Sequence, residues 1–470
     1  MNKFSRGDII AELPIIDIGE AAKGIGKVDN AVIFVNGAVP GDLLDVRITK
    51  TKRRYFEAVI VRFIKKSEHR TIPACKHFGL CGGCKWQNMN YTQQLVYKKK
   101  HVCDNLSRIG KVNPDKIKNI LASEKIYYYR NKLEFTFTNK KWLLPEEMTV
   151  PESIKHTNGL GFHIPGMFSK VLDIEECLLQ SELSNKIRNS VRQFALVNDY
   201  TFFDLKEQQG LLRNLIIRTS SLNELMLIVV FHENDNEKII AMMQHLDSTF
   251  PEISSLLYVI NPKRNDTISD LDVIVFKGKD HIIEKMDNSI FRISAKSFFQ
   301  TNTKQANILY RKVVEMAALT GKECVYDLYT GTGTLAIFIS PFSSKVIGID
   351  CIEQAIENAK ENASLNHKTN CFFVAGTIEK IFNKNFTDEN GVPDVVITDP
   401  PRSGMHPHVI KQLLEIEPQR IVYVSCNPAT QARDIALLSE KYEVRDVQPL
   451  DMFPHTEHIE NICLLVKSRL

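Results

Sequence analysis

No apolar run in the chain approaches the length that a bilayer-spanning helix needs. The first residues, Met1-Asn-Lys-Phe-Ser-Arg-Gly-Asp8, hold none of the apolar core of a secretory signal. With both features missing, no membrane association is expected, and the expected location is the cytoplasm. Internal repeats and long low-complexity segments are also absent. A strong net charge is missing too: 60 Lys and Arg against 56 Asp and Glu leave +4. Cysteine is not scarce. Ten of them in a cytoplasmic chain should be reduced or metal-bound rather than paired as disulfides.

What is present fits a globular protein of several domains. A chain of 470 residues exceeds what one core can serve, so two to four domains are expected. Charge is spread unevenly. Residues 45–70 carry nine basic and three acidic residues, a local charge of +6, and Lys98-Lys-Lys100 adds a second basic spot. Such runs are commonly a solvated face. The aromatics in Lys52-Arg-Arg-Tyr-Phe56 tilt the reading towards nucleic acid.

Short apolar stretches punctuated by turn signals run from residue 6 to about 67 and suggest a small barrel. The succession Gly24-Ile-Gly26, Ile33-Phe-Val-Asn-Gly37 and Val39-Pro-Gly-Asp42 resembles the TRAM domain, an OB-type RNA-binding barrel. Residues 91–110 read as a basic amphipathic helix. Residues 127–283 mix strand and helix patterns, with a loop or insertion over 140–158. From about residue 298 apolar strands alternate with helical stretches, the mark of a doubly wound sheet whose ligands bind at the carboxyl ends of its strands. The expected fold is therefore multidomain α/β. An OB-type barrel spans residues 1–67. An α+β central domain with a four-cysteine site spans 68–290, with 91–125 able to pack on the last domain. A Rossmann-like domain spans 291–470.

The first of those late strands runs into Asp327-Leu-Tyr-Thr-Gly331-Thr-Gly333-Thr334. Glycines there let a ligand approach the backbone. Ala336 stands where a dinucleotide fingerprint would have its third glycine. Asp350 ends the second strand, where a carboxylate can accept ribose hydroxyls or simply cap the next helix. Gly-x-Gly with an acid before it and an acid after the second strand is the S-adenosylmethionine pattern. Asp399-Pro-Pro-Arg402 follows the strand 395–398, and its Arg in the last place argues against an exocyclic amine as target and for a carbonyl-rich base.

Cys426, in Ser425-Cys426-Asn-Pro428, closes the next strand at the same edge. Taken alone it would be a small buried hydrophobe. At that edge it is a candidate nucleophile. Carbon-5 of uracil is a poor nucleophile until a thiolate adds to carbon-6, and removing the carbon-5 proton afterwards needs a base. Residues 451–460, Asp-Met-Phe-Pro-His-Thr-Glu-His-Ile-Glu, supply base candidates. A metal site built from their two His residues and acids has no anchoring cluster elsewhere.

These motifs, with Phe299-Gln300-Thr-Asn302 and Phe453-Pro-His-Thr-x-His458-x-Glu460, resemble the RNA uridine-5 methyltransferase family over nearly the whole chain, closest to its 23S ribosomal RNA branch. The resemblance implies Cys426 as nucleophile and Glu460 as general base. It implies S-adenosylmethionine contacts from Gln300, Tyr329, Asp350 and Asp399, with Thr334 and Thr377 in matching places. Thr330 stands where relatives often have Cys, and Asp350 where they often have Glu. Arg130, Lys132 and Arg213 are candidate RNA contacts.

Cys75-x5-Cys81-Gly-Gly-Cys84 places three thiols within ten residues, a metal-binding density compatible with zinc or iron–sulfur. The resemblance implies a [4Fe-4S] cluster with Cys177 as the remote fourth ligand. Cys103, Cys324, Cys351, Cys371 and Cys463 read as small buried hydrophobes. The expected substrate is 23S rRNA, with another ribosomal uridine or tRNA as alternatives. No obligate protein partner is evident, and a monomer is expected. A radical methylthio-transferase is disfavoured by the cysteine spacing, and a non-catalytic RNA-binding or assembly factor by the intact Cys426 and Glu460.

Overall fold

The computed structural model describes residues 4–149, 151 and 157–468; part of the loop expected over 140–158 thus lies outside the described residues. Five strands form a closed barrel: β1 (Ile9–Ile18), β2 (Gly24–Val28), β3 (Ala31–Val35), β4 (Leu43–Thr51) and β5 (Phe56–Lys65), in the order β1-β2-β3-β5-β4. Alternating residues fill it, among them Leu13, Ile15, Ile33, Val35, Leu44 and Val46, as the period of two in a strand requires. Gly26 is needed for closure, because a Cβ there would lie 2.6 Å from Leu13.

The central domain is a seven-stranded sheet. Its strands are β6 (Lys132–Thr138), β7 (Gly159–Ile164), β8 (Met167–Asp173), β9 (Leu212–Thr219), β10 (Leu225–Phe231), β11 (Ile253–Ile260) and β12 (Ile274–Gly278), ordered β12-β11-β10-β9-β6-β7-β8. Only β10 and β11 run parallel. Helices Glu182–Val197 and Asn236–Thr249 bury Ile187, Val191, Met242 and Leu246 against it. A hairpin of β13 (His281–Met286) and β14 (Ser289–Ser294) leads on to the last domain.

That domain is a second seven-stranded sheet: β15 (Cys324–Leu328), β16 (Lys345–Asp350), β17 (Cys371–Ala375), β18 (Val395–Thr398), β19 (Arg420–Ser425), β20 (Tyr442–Leu450) and β21 (Glu460–Lys467), ordered β17-β16-β15-β18-β19-β21-β20. Five strands are parallel and β21 is antiparallel to both its neighbours. The order reverses at β15, so a crevice opens between β15 and β18 at their carboxyl ends. The sequence pattern shows the five parallel strands and misses the closing pair β20 and β21.

Helix Tyr91–Arg108 lies early in the chain but belongs physically to the last domain. Its buried residues are Gln94, Lys98, Val102 and Leu106, one stripe at a spacing of four. Val102 and Leu106 share a core with Tyr326, Ile410, Tyr423 and Leu465. Among the described residues no helix is long and apolar enough to cross a membrane.

Candidate active site

The carboxyl end of the last sheet gathers most of the residues singled out by the sequence. After β15 the chain enters the left-handed region at Tyr329 (φ 67°), Gly331 (φ 56°) and Gly333 (φ 74°). A Cβ on Gly333 would also lie within 3.0 Å of Ala359 and Phe373, so that glycine is required twice over. Asp350, at the end of β16, accepts the Gly331 N–H and the Ile352 N–H, each at 2.9 Å. It therefore does tie down the loop and the following helix, and each oxygen keeps lone-pair capacity for a further donor. Thr330 donates its hydroxyl to Asp327 at 2.6 Å. Burial pushes the Asp327 carboxyl up to about 7 against that hydrogen bond, with Asp399 and Asp350 adding to the rise. Thr334 is buried at the start of the short helix, and Thr377 is exposed after β17. Gln300 is half-buried just ahead of helix Thr303–Ala317.

Register brings nucleophile and base candidates together. Ser425 on β19 pairs with Asn461 on β21, the last pair of that antiparallel ladder; Cys426 directly follows β19 and Glu460 is the first residue of β21, so the two flank this pair on the same side. Three acidic groups, Cys426, Glu460 and Asp399, crowd this end of the sheet. Burial pushes the Cys426 thiol up to about 11, and Glu460 and Asp399 push the same way. Arg402 opposes them by its charge and a hydrogen bond. Burial, with Asp399, holds Glu460 well above its ordinary value, and burial lifts Asp399 to about 7. A cation brought here would favour the ionised forms of all three.

The backbone of Arg402 is held by the turn after Cys426, since Asn427 and Thr430 both donate to its carbonyl, at 3.0 and 3.1 Å. Its Nη2 lies 3.1 Å from His458 Nδ1. A guanidinium has no acceptor, so Nδ1 accepts and His458 is neutral, in keeping with the lowering of its pKa by burial.

These groups face a cavity of about 330 Å³ that no single domain makes. Arg402, Cys426 and His458 form one side; Trp86, Tyr97, Lys98 and the barrel's Ile18, Gly19 and Ala21 form the rest. A larger cavity, about 550 Å³, lies between the central sheet and helix Thr303–Ala317 and is lined by none of Arg402, Cys426 and His458. Side-chain chemistry, not size, decides for the smaller one.

Sequence reasoning missed what holds the loop 451–458 in place. Lys98, fully buried, donates to Asp451 Oδ1 at 2.5 Å and to the Phe453 carbonyl at 3.0 Å. Tyr91 donates its hydroxyl to Asp451 Oδ2 at 2.7 Å. The amides of Lys85 and Trp86 both donate to the His455 carbonyl, at 2.8 and 3.0 Å. Gln94 accepts the His455 N–H at 2.9 Å. The spacing of Gln94, Lys98, Val102 and Leu106 was the available signal: two polar residues on an apolar stripe imply buried partners.

Cys75, Cys81, Cys84 and Cys177 line one cavity of about 350 Å³. Among the described residues no group of three or more His, Cys, Asp or Glu converges closely enough to hold a single metal ion. Burial raises all four thiols, Cys81 to about 11 and Cys84 to about 12, and the neighbouring thiols add to the rise in both. Two expectations are overturned. Arg213 is not an RNA contact: it is fully buried, bonded to Asp266 and to the carbonyls of Asn261 and Asn265. Cys351 is exposed rather than a buried hydrophobe. Arg130 donates to Thr301 at 3.2 Å and lies 5.4 Å over the Phe453 ring, and Lys132 is half-buried beside Glu134.

A doubly wound sheet with a glycine loop, an acid ending its second strand and an added antiparallel pair, joined to a small barrel, defines an RNA-modifying methyltransferase as the class. Residues 216–468 match the family model described as tRNA (Uracil-5-)-methyltransferase, and residues 12–61 match the TRAM domain. The chain belongs to this S-adenosylmethionine-dependent family of RNA uracil-5 methyltransferases. It is 54% identical to an uncharacterized RNA methyltransferase of Bacteroides thetaiotaomicron, over 94% of this chain and 98% of the relative. It is 49% identical to one from Porphyromonas gingivalis, over 97% and 100%. Among solved structures it resembles a Pyrococcus abyssi tRNA (uracil-54, C5)-methyltransferase in complex with S-adenosyl-L-homocysteine, at a TM-score of 0.74 and 28% identity, over 97% of this chain and 100% of that one.

Proposed function

We propose that this protein methylates carbon-5 of a uridine in 23S rRNA, with Cys426 as nucleophile and Glu460 as general base. The observation that carries the reading is the pairing of Ser425 with Asn461, which brings Cys426, on the wall of the composite cavity, into the electrostatic reach of the buried Glu460 carboxyl. S-adenosylmethionine supplies the methyl group, and Gln300, Tyr329, Thr334, Asp350, Thr377 and Asp399 would hold it. The chain's own groups do the rest. The Cys426 thiolate bonds to uracil carbon-6 and the ring's electrons move towards the carbonyl oxygen. Arg402 favours the thiolate and is aimed by neutral His458. Once the methyl is on carbon-5, Glu460 takes the carbon-5 proton, the double bond re-forms and the thiolate leaves. The target base must leave its stack to reach Cys426, and Trp86, Tyr97 and the barrel turn then enclose it.

The four cysteines fit a [4Fe-4S] cluster: four thiols line one cavity, and a cube of iron and sulfide holds its thiolates farther apart than one ion does. Its part here is structural, because the segment after Cys84 carries the His455 carbonyl bonds.

The barrel together with the cysteine site supports ribosomal RNA. One observation favours tRNA instead. The P. abyssi neighbour, named as a tRNA enzyme, matches 97% of this chain, so gross domain organisation does not separate the two substrates. The test is mass spectrometry of the protein incubated with S-adenosylmethionine and 5-fluorouridine-substituted RNA, because fluorine cannot leave as a proton does. A Cys426 adduct with a 23S fragment supports both chemistry and substrate. An adduct with tRNA alone keeps the chemistry and replaces the substrate. No adduct with either sinks the reading.

A further inference from the structure

Helix Glu182–Val197 buries a cation that has no anionic partner. Arg188 is 1% exposed. Its Nη1 donates to Asn185 Oδ1 at 3.0 Å, its Nη2 to Asn189 Oδ1 at 3.2 Å, and its Nε to nothing. Among the described residues no carboxylate lies within ion-pair distance of it, and Asp173 is paired with Arg192 at 2.8 Å. Arg213, equally buried, has Asp266 and several carbonyls. An ion buried without a counter-ion is among the costliest features a fold can carry. Burial lowers the Arg188 pKa to about 10, which still leaves it charged at neutral pH. The chain therefore carries a positive charge in its interior that its own described side chains do not neutralise.

The missing anion has a place. Asn185, which holds Arg188, also accepts the Cys177 N–H at 2.8 Å and donates to the Cys177 carbonyl at 3.3 Å. The guanidinium lies 5.3 Å over the Phe135 ring, which packs at 5.1 Å on Phe162, a wall of the cysteine cavity. Among charged groups, Cys177 acts on Arg188 most strongly. A four-iron cluster held by four thiolates carries net negative charge, since thiolates and sulfides outweigh the iron. We propose that Arg188 is the counter-cation of a cluster bound by Cys75, Cys81, Cys84 and Cys177, retaining the cluster and raising its reduction potential. The proposal rests on the cluster reading above. Reduction adds one electron, and a nearby cation stabilises the more negative state.

The test compares R188M, which keeps volume and loses charge, with R188K, which keeps charge and loses the fork. Full-length protein is reconstituted anaerobically with ferrous iron and sulfide. Iron and sulfide per chain, the midpoint of a redox titration, the rate of iron loss to a chelator and the melting temperature of loaded and unloaded protein are measured. R188M should shift the midpoint to more negative potential and lose iron at least tenfold faster. Its unloaded form should melt no lower than unloaded wild type, because an unpartnered cation is gone. R188K should keep a midpoint near that of wild type; R188Q serves as the neutral variant if Met is not tolerated. A neutral variant with wild-type midpoint and iron loss overturns the proposal. So does one that melts lower by the same amount loaded and unloaded, which would make Arg188 merely structural. Wild type that takes up no iron and sulfide overturns the cluster reading and this one with it.

Discussion

Replacing Glu460 by Gln should stop the reaction after the methyl group is in place. Glu460 is buried, and burial together with Asp399 holds its carboxyl well above the ordinary value. Burial thus favours its neutral form, and an amide of the same shape should leave folding intact. What the amide cannot do is take the carbon-5 proton. A positioned base contributes about 10²–10⁴ in rate, roughly 3–5 kcal/mol of barrier. Glu460 acts electrostatically on Cys426 from the start of the neighbouring strand, so a loss of about 10³ or more is expected. The assay uses ordinary uridine RNA, S-adenosylmethionine, a denaturing gel and mass spectrometry of the shifted band. E460Q should accumulate a Cys426–RNA adduct carrying the transferred methyl group, whereas wild type accumulates none. Turnover within tenfold of wild type would refute the reasoning. An adduct without the methyl would place Glu460 earlier in the sequence.

Asp399 has its pKa raised to about 7 from an ordinary 3.8, so between those values the folded protein holds more protons than the unfolded one and stability falls as pH rises. D399N should flatten the fall in melting temperature between pH 5 and pH 8 while abolishing methyl transfer, and a wild-type slope in the variant would contradict this. For the same reason S-adenosylmethionine binding near pH 6.5 should release protons, read as a dependence of calorimetric enthalpy on buffer ionisation. Removing Lys98 leaves Asp451 charged in a site from which water is excluded, so K98M should cost about 3–5 kcal/mol in denaturant unfolding; K98M/D451L should recover part of it, and strict additivity would deny the coupling. C84S, purified anaerobically, should lose iron and, through the Lys85 and Trp86 amides, at least tenfold in turnover; full activity without iron would show that the cysteine segment holds its shape unaided.

The five parallel strands were legible because each is a short apolar run, and three of them end at or just before a chemically unusual residue: Asp350, Asp399, Cys426. β20 and β21 were not, because Tyr442–Leu450 mixes charged and apolar residues. It lies beside β21 at one edge of the sheet, where one strand neighbour suffices. Cys426 and Glu460 could be read as partners only through family motifs, since their adjacency is a fact of register between strands far apart in sequence. The cavity walls were beyond reach for the same reason: Ile18, Trp86 and Tyr97 meet Cys426 only after three units pack together. Arg213 misled because a Lys or Arg between apolar residues reads as surface, whereas here the strand is buried along almost its whole length. Lys98 was hidden inside a basic run whose other members, Lys99 and Lys100, are only half-buried.

The bonds from helix Tyr91–Arg108 to the loop 451–458 bear on how the protein is made. Tyr91 and Lys98 meet Asp451 across 360 and 353 residues of chain. During synthesis, at about 5–20 residues per second, the helix leaves the ribosome long before its partner exists. Its stripe of Gln94, Lys98, Val102 and Leu106 must wait, while the barrel, complete within its own strands, can close at once. Glu460 follows Cys426 in the chain, and β21, which it opens, pairs with the strand that Cys426 closes. On the roles proposed above, a chain made only as far as Cys426 holds the thiol but neither the Glu460 carboxyl nor the 451–458 loop that Tyr91 and Lys98 bind, so the site forms only once both have emerged.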